Sequence, residues 1–170
     1  LAEPEKLKGG WKLAAAELEA GKRRAGVEWL RHQEAAGIGT VTDGEVFRIH
    51  FVHGFLEKLQ GIDWQKKTLM GIRDNRYQLE VPTVTGPLAR PAPVHLEEVR
   101  FVRSQTQQRL KFTLPGPMTI CDTIADAHYG SRPKMAMAFA EILNQEAKEL
   151  VAAGVDVIQF DEPAFNVFLK

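Results

Sequence analysis

The sequence predicts an α/β fold in which parallel strands alternate with helices. The clearest indication is residues 155–163, where apolar residues on both sides of Gln159 lead into Asp161, Glu162 and Pro163. Such a run is typical of a buried parallel strand. The proline ends it because its nitrogen has no N–H to donate to the hydrogen-bond ladder between strands. Enzymes with α/β folds place their chemistry at strand tips of this kind. The alternative is a solvated strand end that carries ordinary surface acids.

Three earlier segments follow the same pattern, so that four strands are predicted near residues 41, 83, 113 and 158. Each ends in a polar or glycine–proline motif: DGE at 43–45, TGP at 85–87, LPGP at 114–117 and DEP at 161–163. This regularity predicts successive βα units whose tips share one rim. A TIM (β/α)8 barrel has eight such units in about 250 residues. Four units would therefore make about half of a barrel.

Helices are predicted where apolar residues recur with a period near 3.6 residues. They fall at 13–36, 47–56, 95–107 and 131–153. The residues predicted to bound them are Ser131 and Pro133 at a start, and Gly37, Gly61 and Gly154 at ends. The charged stretch at 63–76 is predicted to be an excursion across the surface.

Composition and charge exclude several classes of protein. The 170 residues have the length of one domain and carry 22 Lys and Arg against 22 Asp and Glu. This balance gives no basic field to attract nucleic acid or an anionic membrane, and no apolar run approaches the roughly 20 residues of a membrane span. No G-x-G-x-x-G or G-x-x-x-x-G-K-[ST] motif follows a strand, which argues against dinucleotide-binding and P-loop folds. With one cysteine and no signal peptide, the chain is expected to be cytoplasmic and to lack an internal disulfide.

Several motifs together resemble those of a known family. VTDGE at 41–45, LPGPMT at 114–119 and IQFDEPA at 158–164 are similar to motifs in the catalytic barrel of cobalamin-independent methionine synthases. The chain more closely resembles the shorter, single-domain methionine-synthase-like proteins, with which it shares LAEPEK at 1–6 and DAHYGSR at 126–132. The resemblance covers essentially all 170 residues. It implies a TIM (β/α)8 barrel of the methionine-synthase/UROD-like type, of which residues 1–170 are a partial domain.

The resemblance implies an enzyme of methionine biosynthesis similar to 5-methyltetrahydropteroyltriglutamate–homocysteine S-methyltransferase. In that family a zinc ion binds the homocysteine thiolate, and methyltetrahydrofolate or another donor supplies the methyl group. Zinc suits this chemistry because it keeps a thiolate deprotonated at neutral pH. By the same resemblance Glu45 and Asp161 hold the amino group of homocysteine, since two carboxylates can enclose an ammonium with charge-assisted hydrogen bonds. The residues expected to support that site are Asp43, Arg48, Asp122, His128 and Glu162.

This sequence also departs from the family pattern. The family's zinc ligands, a His-x-Cys pair, a Glu and a further Cys, are expected beyond Lys170, and its first strand is expected before Leu1. The resemblance therefore assigns no metal ligand and no certain catalytic residue within this chain, which alone is expected to lack methyl-transfer activity. Longer relatives follow G-P-x-T-I with a Trp that packs on the folate pterin, whereas residues 118–123 are MTICDT. The folate platform is expected to be absent or built differently.

Three side chains have the spacing or chemistry of metal ligands. Cys121 is either a ligand or, as a lone cysteine more often is, a small buried hydrophobe. His50 and His53 have the i, i+3 spacing of a chelating pair, but also that of surface or helix-capping histidines.

Other polar side chains also allow two interpretations. Asp122 either hydrogen-bonds a substrate or caps the following helix. His128 and Tyr129 either reach the rim of the site or form a structural turn. Arg48 either orients Glu45 or faces water.

Two other functions are compatible with the same residues. Glu45 and Asp161 would also suit a hydrolase that uses them as an acid/base pair, in which a separation of roughly 5 to 10 Å decides the stereochemistry. The other possibility is a catalytically inert half-barrel kept for assembly. An open half-barrel would expose two strand edges and one core face, which predicts pairing with another copy or with a missing half.

Overall fold

The computed structural model of the protein describes residues 12–168, so the motif at residues 1–6 lies outside the part described here. The helices are α1 (Ala15–Ala35), α2 (His53–Leu56), α3 (Leu96–Gln105), α4 (Pro117–Cys121), α5 (Arg132–Ala152) and α6 (Phe165–Phe168). The strands are β1 (Thr40–Val41), β2 (Gln60–Ile72), β3 (Tyr77–Ala89), β4 (Arg109–Pro115), β5 (Ala125–Asp126) and β6 (Val157–Asp161).

Three of the four predicted strands form a parallel sheet in the order β1-β4-β6. Thr40 lies opposite Arg109 at one end of the sheet, and Asp161 lies opposite Pro115 at the other. The carboxyl ends of the three strands therefore share one rim, as the sequence predicted for them. Leu110, Phe112 and Leu114 of the central strand are buried in the hydrophobic core.

The strand predicted near residue 83 exists, but it does not join this sheet. It belongs to β3, which pairs antiparallel with β2 and parallel with β5. The prediction that residues 63–76 are a surface excursion is right about exposure at 65–69 and 74–76, but the segment is regular, because most of it forms β2 and the turn of this hairpin. Five residues in the middle of β2 are exposed, so charged side chains are tolerated there and hide the alternating pattern.

The hairpin is irregular at one point, where the register shifts between the Asp63–Thr83 and Thr68–Val81 pairs. Pro82 falls within that interval, which suits a residue that has no N–H to donate to the ladder.

The prediction of a helix over residues 47–56 is only partly right. The helix is the single turn α2, and a turn occupies residues 44–47. Gly44 and Glu45 have positive φ angles of 68° and 57° just before the predicted helix, and residues 48–52 are turns or irregular backbone, so no regular helix begins before residue 53. Phe55 and Leu56 are nevertheless buried as the periodicity predicted. Gly61 does not end this helix, because it lies within β2.

The other three helices are confirmed as α1, α3 and α5. Gly37 and Gly154 follow α1 and α5 with φ angles of 73° and 103°, as expected for left-handed C-terminal caps. Ser131 precedes α5 in the extended conformation of an N-cap, although its side chain makes no capping hydrogen bond. None of the helices among residues 12–168 is long and apolar enough to cross a membrane.

The expectation that residues 155–160 form a buried strand is only half right. β6 pairs with β4 along one side, and within the described residues it forms an edge of the parallel sheet. Gln159 is exposed, and so is Phe160, which keeps 46% of its accessible surface. An apolar side chain is thus open to solvent beside an unpaired strand edge.

Gly61 and Gly86 face each other across the β2–β3 hairpin and provide a test of the close approach there. Gly61 has a φ of 88°, and a Cβ at this position would overlap with the carbonyl group of Pro87. We expect Gly61→Ala to lower the free energy of unfolding by about 2 kcal/mol or more, measured by urea denaturation.

Gly86→Ala is the matched control for this substitution. Its added Cβ would meet only the Gly61 Cα at 3.9 Å, an ordinary contact. Equal losses of stability in the two variants would contradict the packing argument.

Candidate functional site

The two residues predicted to bind the substrate lie at one rim of the parallel sheet. Glu45 follows β1 by four residues, and Asp161 is the last residue of β6. Since β4 lies between these strands, Glu45 and Asp161 belong to strands separated by two strand spacings, about 10 Å. The rim thus carries one carboxylate on either side of the central strand.

Local hydrogen bonds fix the backbone that presents Glu45. Its N–H donates to Asp43 Oδ1 at 3.1 Å, and the N–H of Gly44 donates to Thr42 Oγ1 at 3.0 Å. Thr42 is itself held by the side-chain amide of Gln33 on α1, which accepts from the Thr42 N–H and donates to its carbonyl group. The Glu45 side chain is 42% exposed, so its carboxylate is available to a ligand.

Arg48 turns back from the same loop and is buried, with its side chain only 4% exposed. It donates from Nη1 to the carbonyl group of Thr113 in β4 at 2.8 Å, and its guanidinium carbon lies 4.4 Å from the centre of the Phe112 ring. It therefore does not face water, and that alternative for Arg48 is wrong. Its Nη1 lies 3.7 Å from Oε2 of Glu45.

Two more carboxylates surround the Arg48 guanidinium. Asp43, which is 1% exposed, places Oδ2 at 3.6 Å from Nη2, and Glu98 of α3 places Oε1 at 3.6 Å from Nε. Burial raises the pKa of Asp43 to about 6, although the Arg48 charge acts in the opposite direction. Burial likewise raises the pKa of Glu98. The cluster therefore pairs one buried cation with two acids whose ionisation is costly.

His95 completes this cluster. No sequence motif pointed to His95 or to Glu98. Its Nδ1 lies 2.9 Å from Glu98 Oε2. Burial lowers the pKa of His95 to about 4, and the Arg48 charge adds to this effect, so the imidazole is neutral near pH 7. The i, i+3 spacing of His95 and Glu98 is visible in the sequence, but their contact with a loop about 50 residues earlier is not.

The other end of the rim is fixed by Asp161 and Glu162. Asp161 Oδ1 accepts a hydrogen bond from the side-chain amide of Gln159 at 2.7 Å, and its carbonyl group accepts from the N–H of Gly116 at 2.8 Å. Glu162 accepts from the N–H groups of Met118 and Thr119 at 2.8 and 2.7 Å. Glu162 thus ties the tip of β6 to the start of α4.

A Cβ at position 116 would overlap with the Glu162 carboxyl group where it now lies, so Gly116 leaves room for that carboxylate to accept its hydrogen bonds from residues 118 and 119. Glycine in the LPGP motif therefore allows the two strand tips to approach closely.

Asp122 and the loop after α4 have structural contacts. Asp122 is buried, with Oδ2 3.7 Å from Arg73 Nε at the hairpin turn and Oδ1 3.4 Å from Arg132 Nη2 at the start of α5. It therefore connects two elements and does not cap a helix N-terminus.

The loop that contains His128 and Tyr129 is a structural turn. Asp126 accepts hydrogen bonds from the N–H groups of His128, Tyr129 and Ser131. Tyr129 Oη accepts from the N–H of Leu88 at 3.1 Å, and the His128 ring lies edge-on to Tyr129.

The side chains considered as metal ligands are accounted for by other contacts. Cys121 is buried in the core, and burial raises the pKa of its thiol to about 12, as expected for a small hydrophobe. His50 and His53 stack with ring centres 4.6 Å apart, and His50 Nδ1 accepts from the N–H groups of Val52 and His53. Among residues 12–168 no group of three or more His, Cys, Asp or Glu side chains is arranged to hold a metal ion.

Comparison with known proteins identifies the class to which this α/β chain with acids at its strand tips belongs. Residues 4–169 match the family described as "Cobalamin-independent synthase, Catalytic domain". The chain belongs to this family, as the sequence motifs predicted.

Individual relatives agree with this assignment. The chain is 36% identical to a methionine synthase of Sulfolobus acidocaldarius over 98% of its own length and 48% of that protein. It is 33% identical to a 5-methyltetrahydropteroyltriglutamate–homocysteine methyltransferase of Thermotoga maritima, over 79% of this chain and 18% of that protein. The family is enzymatic, and the chain spans about half the length of the methionine synthases it matches.

A solved structure supports the fold. The B12-independent methionine synthase from Shewanella sp. W3-18-1, in complex with selenomethionine, superposes with a TM-score of 0.84 at 56% identity. The match covers 93% of this chain and 46% of that one. A putative vitamin-B12-independent methionine synthase from Listeria monocytogenes has the same fold, with a TM-score of 0.69 at 20% identity.

The raised pKa of Asp43 predicts how stability depends on pH. The folded state binds this proton more tightly than the unfolded state, so the stability it contributes is largest below about pH 4 and is lost as the pH rises through about 6. Asparagine mimics the protonated acid. We therefore expect the unfolding free energy of Asp43→Asn, relative to wild type, to rise by about 1 to 3 kcal/mol between about pH 4 and pH 7.

Asp126→Asn is a control of opposite sign. Burial alone would raise the pKa of Asp126, but the backbone N–H groups of residues 128 to 131 together lower it. Its contribution to stability is present at neutral pH and is lost in acid, so this variant should lose stability relative to wild type as the pH rises from about 3 to 5. Urea denaturation across the pH series measures both trends, and parallel trends in the two variants would contradict the assignment.

Proposed function

We propose that this chain carries the part of a homocysteine site that binds the substrate's amino group, within an enzyme that methylates homocysteine to methionine. The observation that supports this most directly is the arrangement of Glu45, an available carboxylate held by Arg48 and Asp43, on the same rim as Asp161. The family assignment supports methyl transfer over the alternative of a hydrolase with an acid/base pair.

The chemistry of an ammonium group matches this rim. An ammonium donates three hydrogen bonds and carries a positive charge. At neutral pH, carboxylates are its strongest hydrogen-bond acceptors among protein side chains. Glu45 reaches the site from the β1 loop, whereas Asp161 is fixed at the tip of β6 by its contacts with Gln159 and Gly116. A homocysteine held between them by its amino group is oriented by two fixed points of the fold. Such orientation is what an efficient methyl transfer to the sulfur of the same molecule requires.

The zinc ion of such an enzyme is proposed to bind outside the arrangement described here. Residues 12–168 do not fit it, since no cluster of three suitable side chains lies among them. The proposed ligands belong to a part of the whole protein beyond this chain. Zinc would keep the homocysteine thiolate deprotonated and nucleophilic.

The proposed methyl donor is methyltetrahydrofolate or another methyl compound. The position where longer relatives are expected to have a tryptophan platform is α4, whose Ile120 and Cys121 are buried in the core. A folate bound by the whole protein would therefore need a platform from other residues.

The chain is proposed to be a partial barrel domain. Its parallel sheet has three strands, and β1 and β6 are the edges among the described residues. The match to 48% of the Sulfolobus acidocaldarius protein and 46% of the Shewanella structure supports further strands that continue the sheet in the whole protein.

The substrate proposal is tested by isothermal titration calorimetry of homocysteine with the whole protein. We expect Glu45→Gln and Asp161→Asn each to weaken binding at least about tenfold, because each removes one charged partner of the ammonium. Glu97→Gln, which alters a side chain that is 85% exposed on α3, should leave the affinity unchanged. Wild-type affinity in either of the first two variants would remove that residue from the site.

The partial-barrel proposal predicts that the 170-residue chain by itself self-associates. Light scattering should give a mass above the 19.0 kDa of one chain, because the β6 edge and Phe160 are exposed beside each other. Phe160→Lys should shift the population toward monomers, since a lysine at a strand edge disfavours pairing. A monodisperse wild-type monomer would contradict the prediction.

We also expect no methionine formation by this chain alone.

A further inference from the structure

Arg48 places a positive charge close to the Glu45 carboxylate. Its Nη1 lies 3.7 Å from the carboxylate of Glu45, the residue proposed above to bind an ammonium. An uncompensated guanidinium at that distance would offset much of the Glu45 charge and would repel the ammonium of the ligand. A cation-binding carboxylate beside a buried arginine therefore needs a second source of negative charge.

Asp43 and Glu98 provide that charge. They contact two other nitrogen atoms of the same guanidinium, each at 3.6 Å, and both are largely removed from solvent. Burial raises the pKa of both acids, whereas the nearby Arg48 charge favours their ionised forms, so their negative charge is placed to offset that of the guanidinium. The charge of Glu45, the most exposed acid of the three, then remains free for a ligand.

Glu98 is held in place from the side of α3 and α5. The neutral His95 ring contacts Glu98 through Nδ1, and its buried Nε2 has no hydrogen-bond partner among the described residues, as suits the unprotonated nitrogen of the Nδ1–H tautomer. The backbone N–H groups of Val94 and His95 donate to Glu146 of α5. Glu146 is fully buried and pairs with Arg90 at 2.6 Å. The start of α3 is thus anchored on a rigid helix.

We propose that Glu98, positioned by His95, neutralises Arg48 so that Glu45 keeps the net charge needed to select ligands that carry an amino group. Glu98 and His95 are positioning residues, and together with Asp43 they determine specificity for amino thiols over thiols of the same length without the amino group. This inference rests on the proposed homocysteine site and adds to it the residues that set its selectivity.

The test compares homocysteine with 4-mercaptobutyrate, which has the same thiol and carboxylate but no amino group, in calorimetric titrations of the whole protein. In Glu98→Gln the Arg48 charge is no longer fully offset. We expect homocysteine to bind about three- to tenfold more weakly, whereas 4-mercaptobutyrate should bind as well as to wild type or better. In steady-state kinetics the loss should appear in KM more than in kcat.

The double variant Arg48→Gln/Glu98→Gln removes the cation together with its partner. If charge is the reason for the effect, the double variant should recover selectivity for homocysteine relative to Glu98→Gln alone. A purely structural role for Glu98 predicts the reverse, because two buried groups would then be lost. Thermal unfolding of each variant monitors folding.

If Glu98→Gln does not fold, a second pair of variants tests the inference. His95→Leu removes the donor to Glu98 and should lower the selectivity, whereas His95→Asn places an amide N–H near the Nδ1 position and should retain more of it. Equal weakening of both ligands in Glu98→Gln or His95→Leu, or no change in either ligand, would overturn the inference.

Glu45→Gln in the same series separates the two proposals. If Glu45→Gln weakens both ligands equally, or neither, the proposed amino-group site itself is wrong. If Glu45→Gln weakens homocysteine selectively and Glu98→Gln and His95→Leu do not, only the role of Glu98 and His95 is wrong.

Discussion

The burial of one guanidinium, that of Arg48, is the constraint on which the rim of this protein depends. Removing an arginine from water costs several kcal/mol, and a single partner seldom compensates for that cost. Here the cation is shared by three carboxylates, a main-chain carbonyl group and an aromatic face. These partners come from the β1 loop, from β4 and from α3. Because Arg48 contacts all three elements at once, the loop after β1 has little freedom to move away from the sheet.

A carboxylate fixes the opposite side of the rim by a different means. Glu162 accepts two backbone N–H groups at the start of α4, and Gly116 leaves room for it. The tips of β4 and β6 are therefore joined by hydrogen bonds to the main chain. The two halves of the rim thus rely on different interactions, an ion cluster beside β1 and a capped helix beside β6, and β4 takes part in both.

Sequence patterns predicted those parts of the fold that depend on local periodicity. The three long helices and the parallel strands follow from apolar spacing and from glycine or proline at their ends, which local residues determine. The β2 strand of the hairpin was missed because the five residues in its middle are exposed and are held by main-chain pairing, so that their side chains need not alternate. The helix after β1 was overextended because Phe47, Phe51 and Phe55 pack toward the core as a helical face would, although the backbone between them is irregular.

The same difference between local and long-range contacts applies to the site. Asp43, Glu45 and Arg48 are close in sequence, and Asp161 ends a recognisable strand, so sequence motifs and the family resemblance were sufficient to propose them. Glu98 and His95 approach Arg48 only through the folding of α3 onto the sheet, about 50 residues along the chain, and no spacing rule encodes such a contact. The burial of Cys121 in the core and the hydrogen bonds that order the loop at His128 became apparent only once the packing was known.

The backbone at Glu45 gives a further reason to regard its side chain as functional. A φ of 57° is unfavourable for a residue with a Cβ, and glycine would occupy this position with less strain. The N–H bond to Asp43 and the ion pair with Arg48 help to offset that cost. Such strain is retained where the surrounding structure enforces it, and it tends to occur at functional sites. The conformation belongs to the turn at residues 44–47 that follows β1, and the contacts with Asp43 and Arg48 hold the Glu45 side chain at this position beside the sheet.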